Sequence, residues 1–469
     1  MLRDLARGLG VFFLITACGP SVEEVVDVRV GTCGHDGPVR LKEHFFAVAA
    51  SMVGERLVVG GFEVDPAQPL EELHSPVLHG MGPCGEDPVE LLRGVLDVRV
   101  VGDLLLACDA AGHVDRIDPY GVRPPERLFE RVSCRFGLTS AGLIAHDPVA
   151  EAIVVRPEPT RDGVQVLTLA EGVAETNASA QPFHVLDDHA YAVDTASRLL
   201  QMGGEETTIV ATEVAGIELP ARGDRLVVET RAVDDDGDLV DGPLQSWHPA
   251  TGTTIGLELR MAWIDWPFAF GRRESDDAVP PPYEAIDLRD GSAVQPPSTG
   301  LQFWRPGPGR HLLFASGGAS HEQTYWSWSE EKREWVNLGH YPGCSAASER
   351  GEHIEIYVRE CSVAESWYAD LGEVWLVDYD GRQRLGASGV SSNRFSTSDR
   401  VVWSVFSNDE ELEGWFGELL VSEREDGERW RIDRDALLFT GWEPLDLGGE
   451  ILYTVRDGGR SGLWRSALP

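Results

Sequence analysis

Lysine is almost absent from this chain of 469 residues, and Lys42 and Lys332 are the only two. Schiff-base chemistry and phosphate binding by lysine therefore have few candidates. The Gly-x-Ser-x-Gly elbow of serine hydrolases, the His-Glu-x-x-His zinc helix and the Gly-x-x-x-x-Gly-Lys phosphate loop are missing as well. These absences argue against several common enzyme classes and favour a protein that is not an enzyme.

Positive charge is also scarce, because 78 Asp and Glu residues outnumber 40 Lys and Arg residues and leave a net charge of −38. Such a surface repels nucleic-acid phosphates, so we expect no nucleic-acid partner. It is repelled by anionic lipid headgroups too, so any membrane attachment needs an anchor. The hydrophobic content of 42% is enough for a sizeable core.

Long apolar runs and helical periodicity are the last absences. No run approaches the roughly 20 apolar residues of a membrane helix. No stretch holds a 3.6-residue apolar period for three turns, and Arg434–Phe439 is at most a helical turn. What remains is a dense series of short β-type runs separated by turn residues, 51 Gly and 28 Pro among them.

The first residues form a short export signal, with Arg3 and Arg7 ahead of an apolar stretch that ends at Ile15. The segment Ile15-Thr16-Ala17-Cys18 resembles the bacterial lipobox. That resemblance implies cleavage before Cys18 and lipidation, including palmitate, on its thiol and new N-terminus. Gly19 in place of an Asp favours the outer membrane. An ordinary signal peptide with a chance cysteine is the alternative.

Six cysteines remain once Cys18 is set aside, and an even number in an exported chain suggests disulfides. Neighbour pairing is the simplest of the fifteen arrangements. It predicts three bonds, Cys33–Cys84, Cys108–Cys134 and Cys344–Cys361. A zinc site is the competing interpretation, but no Cys-x-x-Cys spacing supports it.

A hairpin with an Asp-, Gly- or Pro-rich turn recurs about every 44 residues, as in Val114–Gly121, Ala285–Gly291 and Val374–Gly381. A strand pair of the type Val100–Ala107 precedes such turns. Four strands in about 40–50 residues is the length of a β-propeller blade. The pattern loosely resembles the TolB-like and WD40-like propellers, although the signature motifs of both groups are missing.

We therefore expect an all-β chain with a single β-propeller of about seven or eight four-stranded blades. Residues 1–17 form the signal peptide, 18–42 a lipidated N-terminus and tether, and 43–469 the propeller-like domain. Val25–Val30 or Pro38–Leu41 could close the ring by joining the last blade. A pair of smaller β domains is the alternative.

One acidic cluster could bind Ca²⁺, because alternate carboxylates around a Gly turn gather hard oxygen ligands. It comprises Asp234, Asp236, Asp238 and Asp241 around Gly237. A solvated hairpin tip between Val227-Val228 and Leu244 is the simpler interpretation. No other cofactor is expected.

The scattered histidines and the fourteen tryptophans suggest structural roles. His74 and His79 are expected in a surface loop rather than in a ligand set. Trp326 and Trp328 alternate, so they face one side of a strand, and we expect such tryptophans to pack in the core.

The leading function is a membrane-anchored envelope lipoprotein whose propeller is a non-catalytic binding or scaffold module for a protein or glycan partner. One alternative is an extracellular hydrolase with carboxylates in the propeller channel. Another is a periplasmic subunit of outer-membrane assembly. Acids that converge with a raised pKa would favour catalysis, and acids spread over turns would favour solvation.

Overall fold

The computed structural model describes the chain from Cys33 to Ala467 with gaps. The described residues are 33, 38–63, 76–101, 103–161, 164–173, 182–203, 206–218, 223–233, 239–257, 259–265, 267–273, 284–294, 301–303, 313–316, 323–329, 334–341, 344–350, 353–359, 372–390, 394–397, 400–406, 417–424, 429–438, 450–455 and 458–467. Their regular structure is strand apart from a 3₁₀ turn at Gly458–Arg460. Within these residues no helix has the length and hydropathy to cross a membrane.

Eight four-stranded sheets each use four consecutive strands in sequence order. The first four sheets are β2 (Phe45–Val53), β3 (Arg56–Glu63), β4 (Val77–Met81), β5 (Val89–Arg93); β6 (Val95–Val101), β7 (Leu104–Asp109), β8 (Val114–Ile117), β9 (Glu126–Phe129); β10 (Phe136–Thr139), β11 (Gly142–Asp147), β12 (Ala152–Arg156), β13 (Leu167–Glu171); and β14 (His184–Leu186), β15 (His189–Val193), β16 (Arg198–Gly203), β17 (Glu206–Thr212).

The next four sheets repeat this arrangement. They are β18 (Val214–Glu218), β19 (Leu226–Val233), β20 (Leu239–His248), β21 (Thr253–Gly256); β22 (Leu259–Asp265), β23 (Phe268–Arg273), β24 (Glu284–Asp287), β25 (Ala293–Val294); β26 (Leu301–Phe303), β27 (Leu313–Ser316), β28 (Gln323–Ser329), β29 (Glu334–Tyr341); and β30 (Cys344–Arg350), β31 (His353–Arg359), β32 (Gly372–Val377), β33 (Gln383–Val390). The prediction of a β-propeller with about seven or eight four-stranded blades is confirmed.

A ninth sheet has seven strands and contains both ends of the described chain. Its order is β1-β39-β38-β37-β36-β35-β34, with β34 (Arg394–Ser396), β35 (Arg400–Phe406), β36 (Gly417–Arg424), β37 (Arg429–Leu438), β38 (Glu450–Val455), β39 (Gly462–Ala467) and β1 (Val39–Glu43). Strand β1 pairs antiparallel with β39, from Val39 opposite Arg465 to Glu43 opposite Gly462. It overlaps Pro38–Leu41, one of the two segments that the sequence offers for this role. Residues 434–438, for which the sequence allows at most a helical turn, belong to β37.

The central strands of the sheets are buried on both faces. Strand β3 has seven buried residues of eight, and β12 is buried throughout. An apolar run such as Ile153-Val154-Val155 suits this position, because β-branched side chains pack well on a pleated surface that is covered on each side. Neighbouring sheets share apolar clusters, such as Ile144, Ile153 and Ala170 with Ala190 and Leu200.

The chain divides into two compact units. The first unit comprises residues 1–110, 115–125 and 302–469, and so contains both chain ends. The second comprises residues 111–114 and 126–301, and its core consists of the apolar clusters around Ile153, Tyr191 and Ile286.

Candidate functional site

The predicted lipidation site and most of the predicted calcium ligands lie outside the described residues. Cys18, Asp234, Asp236 and Asp238 are in this group. Asp241 lies on β20, where its Cα is opposite that of Arg231 on β19. Among the described residues, no group of three His, Cys, Asp or Glu side chains could hold a metal ion.

The cysteines follow the neighbour pairing as far as the structure describes them. Cys33 and Cys84 form a disulfide. Cys108 and Cys134 are each disulfide-bonded as well. Cys344 begins β30, but Cys361 lies outside the described residues, so the third predicted bond stays a prediction.

The acid of the repeated hairpin has a structural role. In five turns its carboxylate accepts hydrogen bonds from backbone N–H groups two to five residues later, an arrangement that fixes the turn. In the turn after Asp378, for example, Oδ1 accepts from the nitrogens of Asp380 at 3.0 Å and Arg382 at 2.8 Å. The same occurs at Asp118, Asp147, Asp194 and Asp287.

A serine, a histidine and a glutamate meet in the first unit, which makes them the closest approach to hydrolase chemistry in the described residues. Ser396 Oγ donates to Glu355 Oε2 at 2.6 Å and lies 3.0 Å from His353 Nε2. All three residues are buried, and Glu355 also pairs with Arg394 at 2.7 Å. Since the single hydroxyl proton goes to Glu355, His353 Nε2 donates to Ser396 and cannot deprotonate it. The cluster therefore joins β31 to β34 and offers no accessible nucleophile.

A second buried cluster joins β37 to β38. Asp433 accepts from Tyr453 Oη at 2.8 Å and from Arg460 Nη2 at 2.5 Å and 2.6 Å. Burial and the Asp433 carboxylate raise the pKa of Tyr453 well above its usual range. The phenol therefore stays protonated and serves as a hydrogen-bond donor within the fold.

Two carboxyl groups in the described part of the chain, Glu90 and Asp194, have shifted pKa values, and both shifts are downward. The hydrogen bond from Arg93 lowers the pKa of Glu90. Burial raises the pKa of Asp194, but the opposing hydrogen bonds from Arg198 win and leave the net shift downward. A general acid at neutral pH needs the opposite shift, so neither residue supports the hydrolase alternative.

His79 contradicts the expectation of a surface loop, because it lies in β4 and is buried. Its ring packs edge-on against Phe45 with ring centroids 5.2 Å apart. Desolvation lowers its pKa to about 4, and the charge of Lys42 contributes. Every residue of β4 is buried. The prediction failed because this burial comes from neighbouring sheets, whose contacts the sequence around His79 does not reveal. His74 lies outside the described residues.

The tryptophan prediction is confirmed for Trp328 and Trp403, which are both buried. Trp328 packs edge-on against Trp335 of the paired strand, with ring centroids 5.2 Å apart. Trp326, two residues before Trp328, is half-buried. These three tryptophans thus belong to the core and its margin.

The best candidate for a functional surface is the loop of residues 118–125, which follows β8 in the first unit. Its apolar side chains are exposed, with Tyr120 at 49% and Val122 at 83%. Arg123, Pro124 and Pro125 are exposed as well. The loop thus presents an exposed aromatic and an exposed aliphatic residue two positions apart.

Asp118 fixes the backbone of this loop. Its Oδ1 accepts from the nitrogen of Tyr120, and its Oδ2 accepts from the nitrogens of Val122 and Arg123, each at 3.0 Å. Gly121 has φ +65°, and a Cβ placed there would lie 2.5 Å from Val89 Cγ1. Position 121 therefore favours glycine for two reasons, namely the left-handed backbone and the close approach to Val89 of the first blade.

The buried side chain of Arg56 contacts this loop. Arg56 Nη2 donates to the carbonyl of Asp87 at 2.9 Å, and Nε lies 3.4 Å from the carbonyl of Pro119. The guanidinium carbon is 5.6 Å from the centroid of the Tyr120 ring. Tyr120 and Val122 are therefore presented on a fixed backbone, which lowers the entropy that a binding partner must remove.

Sequence reasoning identified residues 114–121 as a turn but missed the surface that the turn presents. The available signal is the run Pro119-Tyr120, Val122 and Pro124-Pro125, which places apolar residues where a turn alone requires polar ones. Whether these side chains are covered depends on Arg56 and Val89, which are remote in sequence.

Comparison with known proteins assigns this chain to no family. No family model and no curated protein matches the chain. Among solved structures, the chain is similar to the β-propeller domain of the trilobed protease from Pyrococcus furiosus, at 13% identity and TM-score 0.30, covering 52% of this chain and 80% of that one. It is also similar to Saccharomyces cerevisiae Sqt1, at 8% identity and TM-score 0.35, covering 82% and 94%.

The tricorn protease is a further similar structure, at 11% identity and TM-score 0.28, and 88% of this chain is covered. The chain spans 46% of the length of that protease. These similarities transfer no activity to this chain.

Proposed function

We propose that this chain is a membrane-anchored envelope lipoprotein whose propeller binds a protein partner through the loop of residues 118–125 and catalyses no reaction. The observation that carries the proposal is the fixed, exposed pair Tyr120 and Val122. Tyrosine on a rigid backbone is typical of the few contacts that supply most of the binding energy of an interface, and Val122 adds apolar contact area beside it.

The partner expected from this chemistry is a protein with an apolar pocket. Val122 offers an aliphatic side chain with no polar atom, and Tyr120 offers a ring whose lower face is occupied by Arg56. A glycan would instead need hydroxyl-binding groups around an open aromatic face.

The direct test is photo-crosslinking in intact cells from an amber-encoded residue at position 122. Position 149 is a matched control, because Val149 is also an exposed valine in a turn that an aspartate fixes, here Asp147. We expect a specific adduct from position 122 that Tyr120→Ala weakens, and none from position 149. Equal labelling from both positions would contradict the proposed surface.

The identity of the adduct separates the alternatives. A glycan in place of a protein would replace the partner class. Recovery of outer-membrane assembly components would favour the role of an assembly subunit. The hydrolase alternative finds no support in the buried Ser396 cluster or in the lowered pKa values of Glu90 and Asp194.

The anchor is proposed from Cys18, with Gly19 favouring the outer membrane. Cys18→Ser should release the protein from the membrane fraction, since a −38 chain has no electrostatic attraction to anionic lipids. Fractionation and metabolic labelling with a palmitate analogue measure this. Continued attachment of the Cys18→Ser protein would contradict the anchor.

A further inference from the structure

The turn of residues 82–86, here called the clasp turn, follows β4 in the first blade. It is internally bonded, because Gly82 N donates to the Glu86 carbonyl at 2.8 Å and Gly85 N to the Gly82 carbonyl at 2.9 Å. The Glu86 side chain also accepts from Cys84 N at 2.9 Å. The turn is thus a firm attachment point in the first blade.

Three separate segments meet the clasp turn. Cys33 reaches it through the disulfide to Cys84. Leu41 of β1 lies against Gly85, whose added Cβ would be 3.0 Å from the Leu41 Cα. Arg465 of β39 donates from Nη1 to the Pro83 carbonyl at 2.6 Å. The N-terminal segment and the two strands that close the fold are therefore held at one place.

The path of the chain gives this arrangement a mechanical consequence. The covalent loop from Cys33 to Cys84 encloses β1, β2, β3 and β4. Tension applied to the chain before Cys33 passes through the disulfide into the clasp turn, so β1 carries none of it.

Without the disulfide, the same tension would reach β1 at Val39. Strand β1 is an edge strand that pairs only with β39, and Val39 stands at one end of that pairing, opposite Arg465. Because the hydrogen bonds of an antiparallel pair run perpendicular to the strands, a strand that is peeled away from one end loses them one after another.

We propose that the Cys33–Cys84 disulfide diverts tension from the N-terminal segment around the β1–β39 pairing and so prevents a membrane tether from pulling the closing strand out of the fold. The proposal relies on the proposed function only for the origin of the tension, namely an anchor at Cys18 and a partner bound to the body.

Single-molecule pulling on the full mature chain tests this role of the Cys33–Cys84 disulfide. One handle replaces the lipid at residue 18, and the other is attached to an encoded reactive residue at exposed position 149. We expect the wild-type chain to show no step before its main unfolding event. Cys33→Ser with Cys84→Ser should add an early, low-force step of about 15–20 Å, because the five residues of β1 are freed at about 3.5 Å each.

The matched control is Cys108→Ser with Cys134→Ser, which removes disulfide bonding outside the 33–84 loop and should not add the early step.

Should the Cys33 and Cys84 variant fail to fold, reducing the folded wild-type chain under low tension must produce the same step. An early step in the oxidised wild type, or none after loss of the disulfide, would overturn the proposal. Failure of the anchor would appear separately, as membrane attachment of the Cys18→Ser protein, and would leave the pulling result unchanged.

Discussion

The two compact units differ in how far along the chain their polar contacts reach. In the second unit, Asp194 pairs with Arg198 four residues later, Asp287 with Arg289 two residues later, and Arg156 with Glu126, 30 residues away. The first unit also has a short pair, Arg99 with Asp97. Its Arg465, however, pairs with Glu450 and donates to the carbonyl of Pro83, which is 382 residues away. The unit that contains both chain ends thus includes a polar contact between distant segments.

This difference indicates what each polar contact does. A pair within one turn stabilises that turn and little else. The bond from Arg465 to the Pro83 carbonyl instead joins two segments that are 382 residues apart. The Arg465–Glu450 pair lies within the β38–β39 hairpin and is buried, and such a pair is costly to break because the remaining charge stays buried without its partner.

The largest expected effect is therefore at Arg465. Arg465→Met keeps an apolar stem but leaves the Glu450 carboxylate buried without its cation, and we expect a loss of about 3–5 kcal/mol in the free energy of unfolding. Arg198→Met in the second unit should cost about 1 kcal/mol, because Arg198 is 44% exposed and Asp194 keeps backbone donors. Urea unfolding measures both, and equal losses would contradict the comparison.

Acid sensitivity should come from both units. Desolvation lowers the pKa of His79 in the first unit and of His184 in the second to about 4 each. An unfolded histidine titrates near 6.5, so between pH 6.5 and 4 the unfolded chain binds more protons and stability falls as the pH is lowered. Above pH 6.5 these groups contribute no pH dependence.

Single substitutions separate the two histidines. His79→Gln and His184→Gln should each remove about one proton from the uptake on unfolding between pH 6.5 and 4. The slope of unfolding free energy against pH reports this uptake. The prediction fails if the slope of either variant in this window equals that of the wild type.

A smaller effect, equal in the two units, is expected at the aspartate turns. Asp147→Ala in the second unit and Asp378→Ala in the first each remove an acceptor for two backbone N–H groups. Each should cost about 1 kcal/mol, because the freed donors can bond to water. Thermal unfolding of the two variants provides the measurement, and a clearly larger loss in one unit would show that its turns do more than fix local backbone.

The smallest effect on stability is expected at the acidic cluster. If Asp234, Asp236, Asp238 and Asp241 bind Ca²⁺, calorimetric titration should show heat at millimolar calcium that Asp236→Asn removes. Asp103→Asn, at an exposed aspartate elsewhere, is the control. Absence of heat in the wild type would leave the cluster as a solvated hairpin tip.

Local features of the fold were predictable from the sequence. The recurring Asp in Val114–Gly121, Ala285–Gly291 and Val374–Gly381 marks turns in which the carboxylate binds backbone N–H groups a few residues later. Such contacts depend on residues within one hairpin, so a repeat in the sequence reveals them. The same reasoning recovered the Cys33–Cys84 pair, because near neighbours along the chain close the shortest loops.

The rest depended on contacts that no local pattern contains. The burial of His79 follows from the sheets around β4, and the partner of Arg465 lies at the other end of the chain. The exposure of Val122 follows from the support of its loop by Arg56 and Asp118, while hydrophobicity alone predicts burial. The candidate site was therefore missed, although the turn that carries it was found.

The pairing of β1 with β39 also sets the order in which the chain can fold. These strands are separated by more than 400 residues, so their pairing must wait until the last strand has been synthesised. The second unit lies within residues 111–301 and has no such requirement. We expect it to reach its native structure first, while the edges of β1 and its neighbours remain open and in need of protection from other chains.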